Sequence, residues 1–136
     1  MTKTNNPKSA WKGQSTEENK PWGSVISWSA ISEISGKILK IEKGGRTSLK
    51  YNTVKHEVLF LISGTVIIST WKAGPHPDQV PELRIPLKPG DTFNIQSEIP
   101  YRITALEESY IVEISNDKSN QAVIFYDDYG RDNEKS

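Results

Sequence analysis

From residue 24 to residue 126 the sequence repeats one pattern, a short β-prone run followed by a turn signal and another run. The runs are 24–33, 37–42, 47–52, 57–63, 65–71, 83–87, 91–95, 101–105, 110–115 and 122–126. Turn signals at intervals of about 8–12 residues belong to all-β sandwiches and barrels, and no helix of useful length interrupts them. Ser35-Gly36, Gly44-Gly45, Ser63-Gly64, Pro89-Gly90 and Asn116-Asp117 supply the turns, because Gly and Asn tolerate positive φ and Pro presets the bend. Residues 72–82, KAGPHPDQVPE, hold three prolines and cannot continue a ladder, so they read as a long hairpin loop. The pattern predicts an all-β, closed double-sheet barrel of about ten short antiparallel strands.

The chain has 136 residues, one domain's worth, and can bury roughly two-thirds of the surface its unfolded form exposes. It has no cysteine, which excludes a disulfide framework, a thiolate metal site and a cysteine nucleophile. Seventeen basic residues balance seventeen acidic ones, so there is no broad electrostatic footprint for nucleic acid or anionic lipid. No apolar run approaches the roughly 20 residues of a membrane span, and the polar start lacks a signal peptide's apolar stretch. These features predict a soluble, cytoplasmic protein with neither nucleic-acid nor membrane partners. Residues 1–20 carry no apolar period and are expected to be a flexible arm, pinned at most by Trp11. A single barrel is expected over 21–131 and a disordered tail over 132–136.

Two stretches carry more than a fold class: GRTSLKYNTVKHEVLFLISG at 45–64 and LKPGDTFNIQSEIPYRITA at 87–105. Together they resemble the cupin superfamily, whose double-stranded β-helix is a jelly-roll barrel. KPWG at 20–23 and DDYGR at 127–131 narrow the resemblance to the cupin domain of type II mannose-6-phosphate isomerases. The resemblance implies aldose–ketose isomerisation of a sugar phosphate, carbohydrate metabolism and a homodimer. It also implies one divalent metal, held by a Gln or His, a His two residues on, a Glu, and a His in the second stretch.

Those positions here hold Lys50, Asn52, Glu57 and Tyr101. An ammonium at Lys50 repels a cation, so no cofactor is expected, a Zn, Mn, Fe or Ni ion being the alternative that the resemblance carries. A Lys50–Glu57 ion pair is expected to fill the place, since pairing offsets the cost of burying either charge. By strand alternation Arg46, Ser48, Lys50 and Asn52 are expected to share one face, while Lys55 and Arg102 face outward. A metal-free mechanism would use Lys50, Glu57 and Tyr101 as catalytic groups, with Arg46, Ser48 and Asn52 binding a phosphorylated sugar or similar small anion. The alternative is a non-catalytic, metal-free ligand-binding or dimeric accessory module. His56 and His76 are expected at the surface, Trp22, Trp28 and Trp71 in packing rather than sugar stacking, and DDYGR as a C-terminal cap with Arg131 paired to a carboxylate.

Overall fold

The computed structural model describes residues 8–29, 34–116 and 122–130. Among these residues eleven strands divide between two sheets: β1 (Thr16–Lys20), β2 (Gly23–Ser29), β3 (Ser35–Ile41), β4 (Leu49–Asn52), β5 (Glu57–Ser63), β6 (Val66–Thr70), β7 (Leu83–Leu87), β8 (Thr92–Ile95), β9 (Tyr101–Ala105), β10 (Ser109–Ser115) and β11 (Ala122–Tyr126). One sheet runs β1-β2-β3-β10-β5-β8 and the other β11-β4-β9-β6-β7. Every strand pairing within them is antiparallel. The chain therefore has the expected jelly-roll architecture. Among the described residues no helix is long and apolar enough to cross a membrane.

Alternation builds the core. In β5, Glu57, Leu59 and Leu61 turn inward and are buried, whereas Phe60 and Ile62 are exposed. Leu61 stands opposite Ile111, which stands opposite Leu39; on the facing sheet Val66 meets Ala105 and Ile68 meets Ile103. These residues make one apolar cluster at one end of the barrel interior, closed by Trp22 and Ile41. Leu61 is fully buried, so truncating it to alanine costs about 2–5 kcal/mol.

The two short signatures have structural explanations. Trp22 of KPWG is a core residue, and a Cβ on Gly23 would run into the carbonyl oxygen of Lys40 across the β2–β3 pair, so this position admits only glycine. In DDYGR the backbone N–H of Tyr129 donates to Asp127 Oδ2, and Gly130 takes a positive φ of 82° that ends the turn. Gly64 after β5 has φ 96° and lies against Ser109, which explains the Ser-Gly turn.

The structure departs from expectation at the N-terminal side. Residues 16–20, part of the expected arm, form β1, paired over its whole length with β2. TEENK gives no apolar signal because four of its five residues are exposed; backbone pairing alone places it. Trp11 is 68% exposed. The expected strand positions 30–33, the residue Asp117 of the last turn, Arg131 and the tail 132–136 lie outside the described residues.

Candidate functional site

Beside the apolar cluster the inner face of the barrel turns polar. Glu113 of β10 stands between Lys37 of β3 and Leu59 of β5, and Glu57 stands between Ser115 and Ile95. From the facing sheet Lys50 of β4 lies opposite Tyr101 of β9 on one side and Ile124 of β11 on the other. Directly opposed residues share a face, so both sheets deliver charged groups to one space. Tyr101 Oη donates to Glu57 Oε1 at 3.0 Å, and Lys55 Nζ lies 3.7 Å from Glu57 Oε2.

Burial and crowding set the protonation of this cluster. Removal of the Glu57 carboxyl from water, with the charge of Glu113 beside it, pushes it up to about 7. For Glu113 the same desolvation is outweighed by Lys37 and by the hydrogen bond with Glu57, and it stays below the usual carboxylate range. The two carboxyls thus share one proton near neutral pH, Glu57 donating. Burial draws Lys50 down from an ordinary lysine, and burial followed by the charge of Glu57 drives the Tyr101 phenol well up.

Two voids open among these groups. The larger, about 150 Å³, is lined by Ser48, Lys37, Lys50, Tyr101 and Glu113, with Glu18 and Lys20 of β1 at its mouth. The smaller, about 20 Å³, is lined by Lys37, Lys50, Asn52, Lys55, Glu57 and Tyr101, and is large enough for roughly one water. Asn52 is fixed there by its own turn: Oδ1 accepts the N–H groups of Val54 and Lys55 at 3.0 and 2.9 Å. Its buried Nδ2 has no hydrogen-bond partner among the described residues.

This donor set does not suit a divalent cation. Lys50 contributes an ammonium or a desolvated amine, Tyr101 spends its hydroxyl on Glu57, and Asn52 has committed its carbonyl oxygen and presents only N–H. Among the described residues no three His, Asp or Glu side chains converge as metal ligands.

Of the sequence-derived candidates, Lys50, Glu57, Tyr101, Asn52 and Ser48 come together, and Arg46 does not. Arg46 pairs with Thr104 whereas Lys50 pairs with Tyr101, so the register slips by one residue across Thr47-Ser48 and Arg46 turns to the outer face. There its Nε and Nη2 donate to Asp128 at 2.7 and 2.9 Å. Arg102, outward as expected, is nevertheless buried: it donates to Asp128 at 3.1 Å and to the Thr47 carbonyl at 3.0 Å, and lies over the Tyr126 ring. The C-terminal cap exists, but Asp128 is the residue that ties it down. The partner of Glu57 is Lys55 rather than Lys50, because residues 53–56 are not strand and the Asn52 turn folds Lys55 back inward.

Lys37 and Glu113 were not anticipated. Their signal was an inward charge in an otherwise apolar alternation, Lys37-Leu39-Ile41 and Ile111-Glu113-Ser115. His56 and His76 are exposed, and His56 Nδ1 accepts the Ser97 N–H at 3.0 Å. Trp22 packs in the core and Trp28 against Gly36, while the buried Trp71 lines an open cavity of about 350 Å³ with Phe93 and Ile99.

No family model and no curated protein matches the sequence. Solved structures match the fold. KdgF from Halomonas sp. aligns with a TM-score of 0.65 at 12% identity, over 79% of this chain and 89% of that one. An RmlC-like cupin from Shewanella frigidimarina gives 0.63 at 12%, over 81% and 91%. A variant of Bacillus subtilis oxalate decarboxylase gives 0.71 at 14%, covering 82% of this chain but only 30% of that longer protein. At these identities the likeness establishes the cupin fold.

Proposed function

We propose that the barrel binds a small anion without a metal ion, a phosphorylated sugar or a similar small acid, with its charged group in the larger void beside Lys37 and Lys50. One observation carries this reading: Lys37 and Lys50 line both voids, and the smaller one adds Lys55 and Asn52, whose buried Nδ2 has no partner among the described residues. A buried donor without a partner costs about 1–3 kcal/mol, which one water bridging it to a ligand would recover. The donors also outnumber the acceptors, since of the two carboxyls one holds a proton near pH 7. A cavity of about 150 Å³ admits a molecule of benzene size, so a phosphoryl or carboxylate end enters while the rest of a hexose phosphate extends past Glu18 and Lys20. Ammonium groups serve here as point charges for phosphate.

The same groups support proton transfer between adjacent carbons. Glu57, poised near neutral pH and held by Tyr101, supplies the acid/base, and Lys50 stabilises a developing oxyanion. The test is titration calorimetry with mannose 6-phosphate, mannose and inorganic phosphate, before and after chelator treatment. Saturable binding of the two phosphates, none of mannose and no effect of chelation is the expected result. Binding that disappears on chelation, or no saturable binding of any anion, overturns the reading.

A further inference from the structure

We infer that the outer face of the sheet β1-β2-β3-β10-β5-β8 is the docking surface for a second copy of this chain, the two sheets packing face to face. The inference stands apart from the anion reading, because both voids are lined from the inner face. Where one face of an antiparallel sheet meets water, its outward positions are ordinarily polar. Here Ile26, Ile38, Val112 and Phe60 stand directly opposite one another across four strands, and Trp28, Gly36, Ile114 and Val58 make the next row. Ile62 extends the patch along β5. Phe60, Ile62 and Ile114 are 43%, 45% and 38% exposed, and the Trp28 ring covers Gly36, so the second row has no gap.

The two edge strands frame this patch with polar groups: Glu17 of β1 beside Ile26, and Thr92 and Asn94 of β8 beside Phe60 and Val58. An apolar centre within a polar rim is the anatomy of a specific protein interface. Charge and area identify the occupant. A two-fold contact brings residues near the axis against their own copies, so a face with like charges at its centre cannot form one. This centre carries no charge, and its margins carry one of each sign, Glu17 on β1 and Lys40 on β3, the latter 3.7 Å from Glu108. No basic cluster borders the patch, as an anionic membrane would require. Strands about 4.8 Å apart that rise about 3.3 Å per residue give the six-stranded face roughly 600 Å², so a pair buries about 1,200 Å², enough for a stable specific interface.

Sedimentation velocity across a concentration series tests the pairing. The full chain should run with the mass of two copies and dissociate on dilution. Phe60→Glu and Ile114→Glu set like charges at the centre of the patch and, since both side chains are already exposed, leave the fold intact; each should weaken the dimer about a hundredfold or more. Leu83→Glu, at a comparably exposed apolar residue on β7 of the other sheet, should leave the dimer unchanged.

Because the chain has no cysteine, a second measurement avoids introducing charge. The thiol of Ile62→Cys should become protected from alkylation as protein concentration rises, whereas that of Leu83→Cys should react at one rate throughout. The mass of a single copy at every concentration overturns the proposal. A dimer that both glutamate variants keep, or one in which Ile62→Cys stays reactive, overturns this face as its seat.

Discussion

Tyr101 and Arg102 are neighbours on one strand, yet they belong to opposite kinds of charge cluster. Outward, Arg102 and Arg46 converge on a single carboxylate, Asp128, with further hydrogen bonding from Arg102 to the Thr47 carbonyl and its guanidinium over Tyr126. The ion-pair geometry is closed, and partial burial of Asp128, which alone would raise it, is outweighed by the arginines, so it sits below the ordinary range. Inward, three lysines, two carboxyls and a phenol surround empty space, a proton is shared, and one amide donor has no partner. The outer cluster lies largely at the surface, with Arg46 and Asp128 open to solvent and Arg102 buried, whereas Glu57, Tyr101 and Glu113 of the inner one are all buried. Incomplete pairing in a buried place is what marks the inner charges as kept for a ligand, while the outer charges are paired and partly solvated.

The contrast breaks most visibly at Asp128. Asp128→Ala leaves one buried Arg102 donor without its acceptor, although Arg102 keeps the Thr47 carbonyl, and should cost about 2 kcal/mol, lowering the melting temperature by roughly 7 °C in calorimetry. Anion binding by the folded fraction should survive; its loss would show that the outer cluster shapes the pocket.

The next effect is in the pH dependence, where the two clusters have opposite signs. The Glu57 carboxyl is raised to about 7 from its ordinary 4.5, so the stability it contributes is full below that ordinary value and is lost as pH rises to about 7. Asp128 is lowered, so its contribution is present above its ordinary 3.8 and is lost as pH falls below it. Glu57 feels the charges or hydrogen bonds of Glu113, Lys50, Lys55 and Tyr101, so the useful quantity is a difference between variants. Wild type should lose about 2 kcal/mol relative to Glu57→Gln between pH 5 and pH 8 in urea melts. Parallel curves for the two proteins would deny the shared proton.

The smallest effect on stability sharpens the comparison by its direction. Lys50→Met removes a desolvated amine and should raise stability by about 1 kcal/mol while abolishing anion binding, a trade that no residue of the outer cluster should show. Destabilisation with binding intact would place Lys50 among the structural charges.

Much of the barrel was legible because alternation and turn chemistry agree residue by residue: runs at 57–63, 83–87, 101–105 and 122–126 coincide with strands. β1 was not legible, since TEENK buries no side chain fully and forms through backbone pairing. Lys50, Glu57 and Tyr101 were legible through spacing to the Ser-Gly and Pro-Gly turns. Arg46 misled because a one-residue slip at Thr47-Ser48 reverses the face of everything before it, and composition carries no trace of such a slip. Lys37 and Glu113 were readable from parity alone, but only to a reader who already knew which face was inner.

The mouth of the cavity is furnished by β1, whose side chains Glu18 and Lys20 reach it from a strand that adds nothing to the apolar core. Mutations there carry almost no folding penalty, so selectivity at the entrance can drift, or be engineered, independently of the scaffold. A library randomised over this short segment would explore new ligand preferences on a barrel whose integrity is decided elsewhere.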